Sequence, residues 1–345
     1  MHVRIDRFDP GAATGTELRD YHDLVLASGR VDRPDEEPPA YETVVGRLLV
    51  PMTARGPERF WVARVDGQVI GIAVVGFPDD ENRALAMTDI RVHPARRRAG
   101  IGTRLLHAAL PAMREDGRTT VVGWGVTAGG AGAAWAGALG FRVVHHDVLQ
   151  MLDIPSVDPA VWNVAAPPGY RTERWIGTTP EELLTSYARA RGAIHDAPWE
   201  ETTYRPPQWT PERVRSAEAG LRERRVEQRV VVAVHEATGV VAGLTEVELH
   251  ETRPDLAYQG DTAVPAAHRG RGIGRWVKSH MVRWLRDERP GVRRVGTSTA
   301  AANVHMIRVN HEVGYRTVRS MVDVEAEVAA LAPRGRRQAG IDRVE

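Results

Sequence analysis

One passage occurs twice in this chain, and the duplication governs what it can fold into. Residues 261–285 read DTAVPAAHRGRGIGRWVKSHMVRWL, and residues 89–110 read DIRVHPARRRAGIGTRLLHAAL. Each begins as a strand, passes through an arginine- and glycine-rich turn, and opens an amphipathic helix. Asp89 aligns with Asp261, Val92 with Val264, Arg97 with Arg269, Gly100 with Gly272 and Gly102 with Gly274. LGF at 139–141 answers VGY at 313–315 after a short slip. A period of about 172 residues is too long for a solenoid and suits a duplicated domain.

The flanks repeat the same order. The first half reads as a strand at 2–8 and helices near 17–26 and 41–49. RFWVARVDG and QVIGIAVVGF follow as strands whose Asp-Gly pair signals a hairpin. After them come LAMTDIRV, the turn, a helix to about 113, TTVVGWGV, a short helix and closing strands. The second half runs YRTERWIG, helices near 180–192 and 211–225, then RVVVAVHEATGVVAGLTEVEL and LAYQGDTAV. Its turn, long helix, VRRVGTSTA, a helix from 303 and final strands complete it. Hairpins interrupt the alternation of strand and helix, which predicts an α+β fold with a mixed, mostly antiparallel sheet flanked by helices in each half. The expected organisation is a domain at 1–154, a four-proline linker at 155–169, a domain at 170–330 and a basic tail at 331–345.

Composition narrows the function classes. A chain of 345 residues exceeds one ordinary core. Its net charge of +1 gives no bulk attraction to nucleic acid or anionic membrane, so neither is expected as a partner. No apolar run approaches a membrane span, and MHVRIDRFDP lacks the apolar core of a secretory signal, so a cytoplasmic protein is expected. The absence of cysteine removes disulfides, thiolate metal sites and cysteine nucleophiles. The 13 histidines show no HExxH spacing, and the adjacent His145 and His146 should point to opposite faces of a strand. No metal site is expected.

Glycines between strand and helix let the backbone approach a ligand closely, and the free N–H groups of the helix start suit a phosphate. GxxxxGK[ST] is absent, and GRGIGR lacks the third glycine of a dinucleotide fingerprint. What fits is Arg-x-x-Gly-x-Gly after a strand ending in valine. This resembles the pyrophosphate-binding motif of the GCN5-related N-acetyltransferase (GNAT) superfamily. TSTAAANVHMIRVNHEVGYRTV also resembles that family's strand, helix and Gly-aromatic ending. Because both halves match, the chain looks like a tandem GNAT protein, similar in architecture to mycothiol synthases. The first half is partly degenerate. TAGGAGAAWAGALGF puts Gly129 near the place of Asn303 and Ala136 near that of Asn310.

The resemblance implies acetyl-CoA as co-substrate and direct transfer to an amine of a small molecule, with the active site in the C-terminal half. It implies backbone contacts to the pantetheine arm from Thr262, Ala263 and Val264. It places the pyrophosphate at Arg269, Gly270, Arg271, Gly272, Ile273, Gly274 and Arg275, with Asn303 on the following helix. In the first copy the corresponding residues are Ile90, Val92, Arg97, Arg98, Gly100, Gly102 and Thr103.

Attack by an amine needs a proton acceptor near the thioester. Glu246 and Glu248 share one face of the strand LTEVEL, Asp261 lies on the next strand, and Glu246 is the favoured base. Asp261 has a twin in Asp89, which points to a part common to both halves. Where the family often carries a tyrosine as general acid, this chain has Asn310, a hydrogen-bond donor but not a useful acid. Tyr315 fits a packing position. HDAPWEETTYRPPQW, residues 195–209, combines acids with Trp199, Tyr204 and Trp209, a composition suited to a cationic, partly apolar amine. A non-catalytic acyl-CoA sensor, a protein N-acetyltransferase and a nucleic-acid module are the competing readings, and a monomer or homodimer is expected.

Overall fold

A computed structural model describes residues 2–49 and 55–331. Of the expected basic tail, only Leu331 lies among them, and 332–345 fall outside the described residues. The first half contains β1 (Arg4–Phe8), α1 (Gly15–Asp32), α2 (Tyr41–Leu49), β2 (Glu58–Val65), β3 (Gln68–Gly76) and β4 (Leu85–Val92). It continues with α3 (Ile101–Glu115), β5 (Thr120–Thr127), α4 (Ala131–Ala138) and β6 (Arg142–Asp153). The second half contains β7 (Tyr170–Ile176), α5 (Glu181–Arg191), α6 (Pro211–Glu223), β8 (Val226–His235), β9 (Val241–His250) and β10 (Leu256–Ala263). Next come α7 (Ile273–Glu288), β11 (Arg294–Ala300), α8 (Val304–Val313) and β12 (Arg316–Glu327). The hairpin signal is realised between β2 and β3, where Asp66 and Gly67 both take positive φ, as a two-residue turn of this kind requires.

The strands of both halves join in one sheet, in the order β1-β2-β3-β4-β5-β12-β6-β11-β10-β9-β8-β7. The sheet is mixed and mostly antiparallel, as expected, but it is not two separate sheets. β12 pairs with β5 of the first half, β6 pairs with β11 of the second, and β12 and β6 pair with each other at the seam. Each half has therefore lent its last strand to the other.

Packing follows the exchange. Val322, Val324 and Ala326 of β12 are buried in the first-half core beneath α3. Leu152 of β6 is buried in the second-half core with Trp276, Val277 and Met281 of α7. The stretch expected as a linker is packed as well. Trp162 is fully buried there, and its indole N–H donates to the Val313 carbonyl at 2.8 Å. Four prolines with no periodicity read as a linker, yet one tryptophan suffices to dock it.

Two parallel pairings open the sheet. β4 registers with β5 only over Leu85–Thr88, and β10 with β11 only over Leu256–Tyr258. Past those residues the strands part, which leaves the outer edges of Asp89–Val92 and Gln259–Ala263 beside a cleft. The two turns lie at the ends of these clefts.

Expressed alone, residues 168–345 should fail to give a monodisperse protein with a cooperative melt. They lose Leu152 and Trp162 from the core, and both β11 and β12 lose β6. Size-exclusion chromatography and thermal circular dichroism test this, and co-expression with residues 1–167 should restore the fold.

Candidate active site

The two turns share one conformation. Gly270 and Gly272 sit at φ of +76° and +77°, and their counterparts Arg98 and Gly100 at +62° and +70°. Left-handed backbone is free for glycine but costs about 1 kcal/mol at Arg98. Gly272 and Gly100 each precede a helix without a side-chain cap, so the N–H groups of the first turns of α7 and α3 stay available. A Cβ at Gly270 or Gly272 would meet nothing within 4 Å, so the space over the turn is open to an anion. Ile273 is buried behind it.

The arginines do something other than the sequence suggests. Arg269 donates to the Val264 carbonyl at 2.9 Å and pairs with Asp196 at 2.5 Å. Arg97 donates to the Val92 carbonyl at 3.2 Å and holds Asp32 through two bonds of 2.8 and 2.5 Å. Arg271 donates to the Ala267 carbonyl at 2.9 Å, and Arg275 lies 3.8 Å from Glu312. The motif arginines are thus braces that hold the turn to its strand, and the exposed N–H groups belong mainly to the backbone.

The halves differ beside the turns. On α4, the Trp135 indole donates to the Thr103 hydroxyl at 3.2 Å and lies 3.5 Å from where a Gly102 Cβ would stand. Gly274 faces only Val264, at 3.9 Å. Asn303 caps α8 by accepting the Met306 N–H at 3.1 Å, whereas α4 begins at Gly130 with no such cap. Ile90 is half-buried against the first-half core.

A β-bulge separates the halves more sharply. Gln259 pairs with Val247 and Thr262 with Thr245, so Gly260 and Asp261 together oppose Glu246 alone. β3 and β4 pair without interruption from Gly71–Val92 to Gly76–Met87, and Asp89 faces Val74. A glycine inside LAYQGDTAV was the available signal for the bulge. Behind it, buried Lys278 donates to Gln259 Oε1 at 3.1 Å, and Gln259 Nε2 donates to Thr245 Oγ1 at 2.8 Å and the Glu246 carbonyl at 2.5 Å. Thr245 in turn meets the Thr262 hydroxyl at 2.8 Å. This chain supplies partners across the interrupted ladder. Burial pushes Lys278 down to about 7.

Glu246 is 3% exposed, and it accepts Tyr187 Oη–H at 2.7 Å and Gln228 Nε2–H at 3.2 Å. Arg191 stands beside it, with Nε 3.0 Å from Oε1 and Nη2 3.6 Å from Asp261. Burial pushes Glu246 up to about 7, partly opposed by Arg191 and reinforced by Asp261. Gly260 is exposed, and a Cβ there would stand 3.9 Å from Glu246 Oε2, so the missing side chain leaves a notch to that oxygen. Asp261, with 32% of its side chain exposed, forms the outer wall. Glu248 lies further along β9, 3.6 Å from His250.

Asn310 does not join this group. It is buried, and its amide donates to Gln150 at 2.8 Å and Thr299 at 3.2 Å, tying α8 to β6 and β11. With both hydrogens committed, it belongs to the fold rather than to the catalytic set. Tyr315 is buried in the core, where burial pushes its phenol up.

Residues 195–209 roof the site and reach the other half. Trp209 stacks on Arg191, with the guanidinium carbon 3.3 Å from the ring centroid. Tyr204 packs edge-on against Trp124 of β5 at 4.9 Å. Asn82 exchanges two hydrogen bonds with the Arg205 backbone, at 2.8 and 2.9 Å. Burial pushes Tyr204 up to about 12, with Asp261 and Glu81 adding to the rise.

A model of the Acetyltransferase (GNAT) family matches residues 20–141 and 191–315. Mycothiol acetyltransferase of Mycobacterium avium (strain 104) is 26% identical over 274 residues, covering 71% of this chain and 76% of the relative. A tandem GNAT protein from the clavulanic acid biosynthesis pathway, solved without AcCoA, is 28% identical with a TM-score of 0.76, covering 95% of this chain and 99% of its own. The fold is also shared with a GCN5-related N-acetyltransferase from Sphaerobacter thermophilus, at TM-score 0.71, 18% identity and coverage of 94% and 96%. No helix among the described residues is long and apolar enough to cross a membrane.

The hydrogen bond from Tyr187 favours the ionised form of Glu246. Tyr187→Phe should therefore move the Glu246 titration above its wild-type midpoint, as read by carbon NMR of labelled glutamate carboxyls. A downward shift would mean that the bond does not act on the carboxylate.

Proposed function

We propose, from the premise that this chain belongs to the GNAT acetyltransferase family and is an N-acetyltransferase, that its C-terminal half acetylates a small-molecule amine. The carrying observation is the bulge that sets Gly260 and Asp261 against Glu246, where β4 instead pairs regularly with β3 and offers Val74. The acceptor class is supported by the roof of residues 195–209 and by the two relatives named for mycothiol and for the clavulanic acid pathway.

Acetyl-CoA supplies a thioester whose C–S bond breaks as the acceptor nitrogen forms its bond to the carbonyl carbon. The open turn at Gly270–Gly272 and the parted edge of β10 fit its two ends. Backbone N–H groups at 270–275, aided by the positive end of α7, would hold the phosphates. Thr262, Ala263 and Val264 would pair with the amides of the arm, and a backbone N–H near Val264 is the candidate donor to the thioester oxygen. Asp261 would meet the incoming ammonium, and Glu246 would take its proton through the notch at Gly260. The thiolate would draw a proton from solvent, since Asn310 is engaged elsewhere.

A base must be ionised to act, and Glu246 is pushed up to about 7, so kcat should rise as pH passes through that value. Thiol release from acetyl-CoA with a panel of amines reads this. Glu246→Gln should lose the limb and about 100-fold in kcat, with acetyl-CoA affinity changed little. Gly260→Ala fills the notch at ordinary contact distances, so it should lower kcat about tenfold without moving the Tm. A Glu246→Gln profile matching the wild type would sink the assignment.

A further inference from the structure

The roof that covers Glu246 and Asp261 also covers a second set of ionisable groups at the seam. His145, on β6, is 4% exposed and stacks on Trp199 of the roof at 6.1 Å. Its Nε2 lies 3.5 Å from Asp147, and its Nδ1 is buried without a hydrogen-bond partner, 3.9 Å from Glu200. Across the strand pair, Asp323 of β12 is buried opposite His145 and accepts the Gly125 N–H at 2.8 Å. Glu325 is buried nearby, held by the Thr202 hydroxyl at 2.9 Å and the Thr203 N–H at 2.8 Å.

His145 is buried and the His146 side chain is 58% exposed, as side chains on opposite faces of a strand should be. Glu200 nonetheless lies within 4 Å of both rings, at 3.0 Å from His146 Nδ1. Among the described residues, no three of these groups are arranged to hold a metal ion.

Charge balance distinguishes this set from the first. The charge of Glu246 is opposed by Arg191, a fixed cation 3.0 Å away. At the seam, the groups acting on Asp147 are His145, Glu200 and His146, and those acting on Asp323 are Asp147, His145 and Glu325. Imidazoles are the balancing groups there. Burial, with Glu200 adding, pushes Asp147 up, and burial, with Asp147 adding, pushes Asp323 up to about 6. Buried carboxylates facing one another gain from a bound cation. The set opens to solvent at one edge, where Asp147 and Glu200 keep 17% and 27% of their side chains exposed. Trp199 and Tyr204, 5.7 Å apart, link the two sets, since Trp199 stacks on His145 and the charge of Asp261 acts on Tyr204.

Resting on the acetyltransferase reading above, we propose that the acceptor carries a second cationic nitrogen, which Asp147, Asp323 and Glu200 bind at the seam while the first meets Asp261. Asp261 and Asp147 stand two strands apart and Asp323 one further, and β10 has parted from β11 at Asp261, so the nitrogens are at least roughly 10 Å apart. The acceptor is then a diamine or polyamine long enough to reach both sets.

The test uses the full chain, acetyl-CoA, α,ω-diaminoalkanes from ethane to dodecane, and the monoalkylamines of equal length. The ratio of diamine to monoamine kcat/KM should peak at the chain length that spans both sets. In Asp147→Asn and Asp323→Asn that ratio should fall at least about tenfold, as loss of a charged partner implies. Glu200→Gln, on the exposed rim, should lower it in the same direction and guards against misfolding of the buried variants. Ratios that rise smoothly with length, or that all three variants leave unchanged, overturn the proposal. Calorimetric titration of the best diamine separates the two readings. Binding that Asp147→Asn weakens, with no thiol released from any amine, would remove the acetyltransferase reading and keep the cation site.

Discussion

The antiparallel pairing of β6 with β12 is the constraint on which the rest of this structure depends. Without it there would be two separate six-stranded sheets, β1–β5 closed by β12 and β7–β11 closed by β6. With it, the duplicated halves share one sheet and each core is completed by the other's chain. The exchange also gives the first half a structural part in the second. Its β6 backs β11, which walls the second-half cleft, and its β5 and the segment near Asn82 receive the roof. Burying apolar surface across a shared seam ties the stability of each half to the presence of the other.

Within that frame, the proposed chemistry turns on one extra residue. The bulge at Gly260 and Asp261 turns two successive residues toward the face that carries Glu246, and the absence of a side chain at Gly260 keeps the buried carboxylate approachable. Burial raises the proton affinity of Glu246, while Arg191 and Tyr187 keep its ionised form within reach near neutrality. The hydrogen-bond chain from Lys278 through Gln259 to Thr245 and Thr262 supports the bulge from the opposite face. In the first half the regular β3–β4 ladder, Val74 and Trp135 stand in the corresponding places.

Much of this was legible in the residues. The Arg-x-x-Gly-x-Gly repeat located both turns because left-handed glycines and an uncapped helix leave a local signature. Period-two patterning placed the strands, and the Asp-Gly pair placed a hairpin. What escaped was long-range. No local pattern shows that β6 and β12 trade places, since a strand reads the same whichever neighbour it pairs with. Arg97 and Arg269 looked like anion ligands because their partners Asp32 and Asp196 lie far off in sequence. Asn310 looked available until Gln150 and Thr299 were seen to take its hydrogens. Trp162 sat in a proline-rich stretch whose composition hid its docking.

The central claim is that the second half alone both holds acetyl-CoA and presents the base, while the first half supplies walls and strands. Hydrogen–deuterium exchange with and without acetyl-CoA tests this most directly. The account predicts added protection at amides 262–264 and 270–276, with amides 90–103 unchanged. Protection confined to 90–103 would contradict it.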